Sequence, residues 1–224
     1  PLTRADILAQ FSAGFRQRQH ELIGLEFEMV GVDEETGRAI PYDGSEKAII
    51  AVLDGLCRDF GWHPVGGEPL LELNREGSRI TLEPGSQLEL SLRPHRNLRA
   101  VERELLDILG EVGQTASALG VRFLPLGQQP LTTPDEITII PKQRYRIMTR
   151  YLPTQGHLAL WMMRLTAGMQ VNLDVQSPQD AMLALRTMLS VSSIITALFA
   201  NSPITGGEPN GWLSHRGKIW LHVD

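Results

Sequence analysis

The sequence predicts an α+β fold, with a mainly antiparallel sheet and flanking helices. Three observations predict it. Several short stretches alternate apolar and polar residues with a period of two, as half-buried strands do. Longer stretches place apolar residues at helical spacing, with capping residues ahead of them. Strands and helices do not alternate regularly, so the parallel βαβ arrangement is not expected.

Taken in order, residues 3–18 read as a helix capped by Thr3, with Ile7, Leu8, Phe11 and Phe15 on one side. The first strand spans 21–32; in IGLEFEMV, Glu26 and Glu28 share one face and Ile23, Leu25, Phe27 and Met29 the other. A loop rich in Asp, Glu and Gly covers 33–44. A helix over 45–60 follows, with Gly61 as its C-terminal stop. Cys57 sits on its apolar side and is expected in the core. Residues 62–65 read as a short strand. Residues 70–73 and 79–91 read as a strand pair joined through Asn74-Arg75-Glu76-Gly77-Ser78. In ITLEPGSQLELS, Ile80, Leu82, Leu88 and Leu90 fall on one face. Glu83, Gln87, Glu89 and Ser91 fall on the other, with a bulge or bend expected at Pro84-Gly85.

Asn97 opens a helix that Gly120 closes, and 121–126 reads as a strand. Residues 127–140, with Pro130 and Pro134, read as a mobile loop. Helices are expected over 141–152 and 156–164. The Met and aromatic residues on them, Met148, Trp161, Met162 and Met163, are read as core rather than as ligands. The third alternating strand, 169–175, puts Gln170, Asn172 and Asp174 opposite Met169, Val171, Leu173 and Val175. Ser177-Pro178-Gln179-Asp180 then opens a helix running to about Ala200, whose near-continuous apolar character predicts deep burial. Residues 201–211 form a Gly/Pro loop. A last strand is expected over 219–224, with Arg216 just before it.

If the alternating strands lie in one sheet, its polar face gathers four glutamates and several amides. An ordinary solvated sheet face also carries polar residues. The strand centres here, however, carry Glu, Gln, Asn and Asp without Lys, and like charges crowded on one face repel. Hard oxygen ligands of this kind suit Mg²⁺ or Mn²⁺, which in turn hold nucleotide phosphates.

The totals bound the alternatives. The chain has 224 residues, enough for a sizeable core. Its 21 Lys and Arg against 26 Asp and Glu argue against a nucleic-acid partner. No apolar run is expected to span a membrane, the longest being interrupted by Ser192, Ser193 and Thr196. One cysteine precludes an internal disulfide or a Cys-rich zinc site. A cytoplasmic location is the expectation. The start at Pro1 and the stop at Asp224 inside an expected strand lead us to expect a portion of a longer chain.

Four blocks, in this order and at these intervals, resemble the plant-type glutamate–cysteine ligase family. They are IGLEFE; SRITLEPGSQLELS; MTRYLP with MM and QVNLD; and FANSP with NGWLSHR and IW. The resemblance covers about residues 22–224. It implies a glutamine-synthetase-like catalytic fold, of which residues 1–224 would be the N-terminal portion of a single catalytic domain. It also implies a reaction: ATP phosphorylates the glutamate γ-carboxylate, and the cysteine amine attacks the acyl phosphate to give γ-glutamylcysteine for glutathione biosynthesis. The implied partners are glutamate, cysteine and ATP, with Mg²⁺ (or Mn²⁺). The family's metal-binding glutamates carry over to Glu26, Glu28, Glu83 and Glu89. Gln170 and Asn172 carry over as neighbours of the nucleotide or a ligand. Arg216 carries over as the arginine that touches phosphate or the substrate carboxylate. Arg150 and Arg164 are candidates for the glutamate α-carboxylate. Ser86, Leu92 and Ala167 depart from the family's usual Gly, Gly and Cys. The disulfide switch associated with plant members cannot be built within this portion. Two alternatives stand beside this reading: a related γ-glutamyl ligase with another amine acceptor, and an inactive domain.

Overall fold

The computed structural model describes residues 2–15 and 21–223. A seven-stranded antiparallel sheet organises it. Its central strand is β1 (Ile23–Asp33), long enough to serve three partners. One edge pairs with β5 (Leu88–Ser91), with Glu28 opposite Glu89. The other edge is shared: β7 (Met169–Leu173) pairs with the first half and β6 (Val121–Leu124) with the second. Beyond β5 lie β4 (Ser78–Leu82), β3 (Glu72–Arg75) and the two-residue β2 (His63–Pro64). The predicted α+β class and antiparallel sheet are therefore observed.

The apolar face follows the parity of the sequence. Ile80, Leu82, Leu88 and Leu90 are fully buried, and Leu25 and Met29 nearly so. They pack in one core with Ile49, Val52, Leu53 and Leu56 of α2 (Ile49–Phe60), and with Val101, Ile108, Val112 and Ala116 of α3 (Leu98–Ala118). The caps behave as expected. Asn97 accepts from the Ala100 N–H, and Gly61 ends α2 at φ 69°. Helix α2 starts at Ile49 rather than Ser45, because the Pro41 and Tyr42 carbonyls take the first two N–H groups. Helix α1 (Arg4–Gly14) has the predicted Thr3 cap, reinforced by Asp6, but none of its residues is buried. Its expected extension to Arg18 reaches residues outside those described. Cys57 is partly buried against the core.

Several expectations are corrected. The stretch from Ile80 to Ser91 is not one bulged strand but a hairpin, with Leu82 opposite Leu88 and Thr81 opposite Glu89. Pro84 and Gly85 sit inside its turn, where the Ser86 N–H donates to the Glu83 carbonyl and Ser86 adopts φ 66°. The hairpin before it is tighter than expected. Its turn is Glu76-Gly77, both at positive φ, between β3 and β4. Residues 127–140 are packed rather than loose: Gln128, Gln129, Thr132 and Ile140 are buried around a 3₁₀ turn at Pro134–Glu136. Residues 219–223 do not form the expected strand, and Asp224 lies outside the described residues. Ser214 caps a short helix, α7 (His215–Trp220), by accepting from the Gly217 N–H, and the weak six-residue alternation loses to that cap. The loop 201–211 holds a miniature hairpin, β8 (Ile204–Thr205) with β9 (Glu208–Pro209).

The largest departure is α6 (Pro178–Leu198). Its Ser177 cap forms as expected, but none of its residues is buried. Leu183, Leu189, Leu198 and Phe199 are each more than 60% exposed. Nor is the expectation about membrane-spanning length upheld. At 21 residues, α6 is long and apolar enough to cross a membrane by length and composition alone. The face of β7 assigned to the core is also open: Met169, Val171 and Leu173 are 47, 54 and 50% exposed.

Candidate active site

The polar face of the sheet is built by the pairings just described. Because Glu28 faces Glu89 across β1 and β5, and Thr81 faces Glu89 across β4 and β5, side chains from three strands share one surface. Glu83 joins them from the first position of the turn after β4, and Glu26 lies two residues along β1. On the other side of β1, Gln170 of β7 pairs opposite Glu26 and Asn172 opposite Gly24. The four predicted glutamates and both predicted amides therefore lie on one face.

Their contacts assign them unequal environments. Glu28 accepts from the Gly168 N–H at 2.7 Å and from the Gln170 amide at 3.4 Å. Glu26 accepts from the Asn172 amide at 3.0 Å. Gln170 and Asn172 thus spend a donor each on the carboxylates beside them. Burial and then the neighbouring Glu83 push the Glu28 pKa from 4.5 up to about 7, with Glu89 adding to the rise and Arg216 opposing it. Burial also raises Glu83, helped by Glu89 and opposed by Arg144 and Lys142. The Thr81 hydroxyl donates to Glu89. Gln87, placed by parity on this face, is a buried tether instead. Its amide donates to the Thr166 carbonyl at 2.9 Å, and its carbonyl accepts from the Gly85 N–H at 2.8 Å. Gly85 is required there, since a Cβ would sit 2.1 Å from the Arg164 carbonyl oxygen.

Arg216 arrives from α7 through the split edge of the sheet, where β1 changes partner from β7 to β6. Two glycines frame its path. A Cβ on Gly168 would lie 2.9 Å from the guanidinium, and one on Gly127 would lie 3.5 Å from its Cδ. The Arg216 N–H donates to the buried Ser202 hydroxyl at 2.9 Å, and the guanidinium lies 5.6 Å from the Trp220 ring. Burial holds its pKa below the usual guanidinium range, Glu28 partly offsetting this, and its Nε has no hydrogen-bond partner among the described residues. Glu28 and Arg216 help line a groove of about 680 Å³, together with Met169, Val171, Met188 and Phe199.

The two other predicted arginines are not brought to this face. Arg164 is buried and donates to the Pro134 carbonyl at 2.7 Å, tying α5 (Ala159–Leu165) to the 3₁₀ turn. Arg150 is exposed near the end of α4 (Gln143–Tyr151). Three contributors were missed. Lys142 and Arg144, from the start of α4, are the cations that act on Glu83, and Thr81 supplies a hydroxyl. Thr81 was legible from parity alone. Lys142 and Arg144 were not, because nothing in the sequence docks α4 beside the β4–β5 turn.

Among the described residues, no three carboxylate, histidine or cysteine side chains close on one point as a ready metal cluster. The donor chemistry nevertheless fits a hard divalent cation. Partly buried carboxylates that raise one another's pKa call for positive charge among them, and oxygen is the ligand such ions prefer.

The site is thus a carboxylate-lined antiparallel sheet face with Arg216, Lys142 and Arg144 near its acids. The chain belongs to glutamate–cysteine ligase family 2 (GCS2), a family of ligases, whose model matches residues 22–224. It is 40% identical over its whole length to the chloroplastic glutamate–cysteine ligase of Arabidopsis thaliana, covering 42% of that protein. It is also 40% identical to the chloroplastic glutamate–cysteine ligase B of Oryza sativa subsp. japonica, covering 45% of it, and 37% identical to the Medicago truncatula enzyme, covering 44%. The chain thus spans less than half the length of these relatives. These relatives are chloroplastic, which overturns the expectation of a cytoplasmic location. Among solved structures, a bifunctional glutathione synthetase from Pasteurella multocida aligns with 84% of this chain and 21% of its own, at 19% identity and a TM-score of 0.39.

Proposed function

We propose that this chain carries the acidic half of a glutamate–cysteine ligase site. The site joins the glutamate γ-carboxylate to the cysteine amine at the expense of ATP, giving γ-glutamylcysteine for glutathione biosynthesis. The observation that carries the reading is the gathering of Glu26, Glu28, Glu83 and Glu89 on one sheet face, in a chain that belongs to this ligase family. A carboxylate is a poor electrophile, and phosphorylation gives it a leaving group. That step brings two anions together, so positive charge must lie between them. Divalent cations, Mg²⁺ or Mn²⁺, supply that charge when bound, and the four glutamates are the residues that would hold them.

The remaining roles belong to the chain itself. Arg216 is a fixed cation whose fork can take two oxygens of a phosphate or carboxylate. Gly127 and Gly168 keep its path clear, and Ser202 holds its backbone. Gln170 and Asn172 orient Glu28 and Glu26 by donating to them. Gln87 fixes the β4–β5 turn that presents Glu83.

The test is coupled ADP release by the purified protein with ATP, glutamate, cysteine and Mg²⁺. Release that needs all four, and that falls at least about a hundredfold in Glu83→Ala with the fold retained, supports the reading. Release that proceeds equally without cysteine but with another amine would reassign the acceptor. A folded Glu83→Ala variant with wild-type turnover would remove the acidic face from the mechanism.

A further inference from the structure

Two cations stand beside the acidic face without a carboxylate of their own. The Lys142 ammonium donates to the Leu82 carbonyl at 3.0 Å and lies 5.5 Å over the Tyr145 ring. Arg144 stacks on the same ring at 4.6 Å and donates to the Tyr145 hydroxyl at 2.8 Å. Tyr145 is 1% exposed, so the ring is a fixed post between the core and the two cations. Among the described residues, neither cation forms a direct ion pair.

This arrangement is costly as it stands. Burial pushes the Lys142 ammonium down, Glu83 opposes that, and the adjacent Arg144 repels it. A partly desolvated cation held next to another cation calls for an anion to offset both. Glu83 lies near both of them, yet among the described residues it forms no ion pair with either. Each cation also keeps donors in reserve. The ammonium spends one N–H on Leu82, and the guanidinium spends one on Tyr145.

We propose that Lys142 and Arg144, posted on Tyr145, form a clamp for the phosphate oxygens of a nucleoside triphosphate at the Glu83 end of the carboxylate face. Arg216 stands at the Glu28 end, so the acidic surface is bracketed by cations on two sides. The inference rests on the ATP-dependent reading above and adds to it the residues that meet the polyphosphate. Lys142 supplies a point charge, and Arg144 supplies a planar fork that the Tyr145 ring keeps from swinging away.

Calorimetric titration separates this from a merely neutralising role for the two cations. The titrants are inorganic tripolyphosphate, Mg·ATP and adenosine, and the proteins are wild type, Lys142→Met, Arg144→Met and Lys142→Arg. Each Met variant is expected to weaken tripolyphosphate and Mg·ATP by about tenfold or more, the worth of a charge-assisted hydrogen bond. Adenosine binding stays unchanged, and Lys142→Arg recovers most of the loss. Arg144 is exposed, so Arg144→Met keeps the fold even if Lys142→Met does not. A folded Arg144→Met or Lys142→Met variant that binds tripolyphosphate as wild type does overturns the clamp, as does a wild-type protein that binds none. Wild-type ligation with an unchanged KM for ATP in both Met variants would sink the clamp and leave the ligase reading standing. Loss of tripolyphosphate binding in the variants, with no ligation by wild type, would do the reverse.

Discussion

Glu28 shows how one side chain can be read twice. Its position on the polar face follows from parity, but its protonation follows from depth and company. Burial and Glu83 raise its pKa from 4.5 to about 7, so between those values the folded chain holds a proton that the unfolded chain has released. Stability then falls as pH rises through that window. The contribution of protonated Glu28 is complete below 4.5 and is lost above about 7. Without divalent cations, Glu28→Gln is therefore expected to match wild type at about pH 4 and to exceed it by on the order of 2 kcal/mol at about pH 8. Urea melts at the two pH values check this, and a variant effect that does not change with pH would contradict it. A residue's neighbours also decide whether it is available. Arg164 and Arg216 are both arginines in conspicuous segments, yet one is spent on the Pro134 carbonyl and the other threads between two glycines toward Glu28.

At the scale of elements, the β4–β5 hairpin is the device that assembles the acidic face. Glu83 and Glu89 are six positions apart in sequence, and the turn between them folds them to the same surface. That turn carries a cost. Ser86 sits at φ 66°, where a Cβ is disfavoured, and its buried hydroxyl has no hydrogen-bond partner among the described residues. Ser86→Gly is expected to raise unfolding free energy by about 1 kcal/mol, because glycine takes this backbone freely and removes the orphaned hydroxyl. Equilibrium denaturation measures it, and a destabilised Ser86→Gly protein would show that the side chain has packing value that outweighs the strain. The alternating pattern marked these strands correctly but could not distinguish one bent strand from two paired ones, since a turn with this residue count preserves the parity on both sides. The six-residue alternation near the end misled for a different reason. A serine cap outweighs a short weak period, and residues 215–220 became helix.

The whole molecule has one well-filled core and one open side. The filled core lies between the sheet and α2 with α3; the open side is the apolar face of β7 with α6 across a groove. The two sides predict opposite responses to the same chemical change. Leu88→Asp places a charge where the side chain is fully buried and should cost on the order of 4 kcal/mol, enough to unfold most of the population. Val171→Asp, at a position 54% exposed, should cost under about 1 kcal/mol. Thermal melts of the two variants test the assignment, and equal losses would show that the β7 face is core after all.

What the sequence determined by itself was whatever depends on local spacing. The antiparallel α+β class, the caps at Thr3, Asn97 and Ser177, the apolar face of β1, β4 and β5, and the four glutamates opposite it all follow from periods of two and 3.6 and from hydrogen bonds a few residues long. Tertiary structure decided whatever depends on which elements meet. It docked α4 so that Lys142 and Arg144 stand beside Glu83, and opened the sheet edge so that Arg216 lies near Glu28. It turned Gln87 into a buried tether and left the long apolar helix α6 uncovered. The physical reason is the same in each case. Hydrophobic pattern says that a face must be buried or that a carboxylate points away from it, but burial and charge are properties of the partner across the contact, and that partner is distant in sequence.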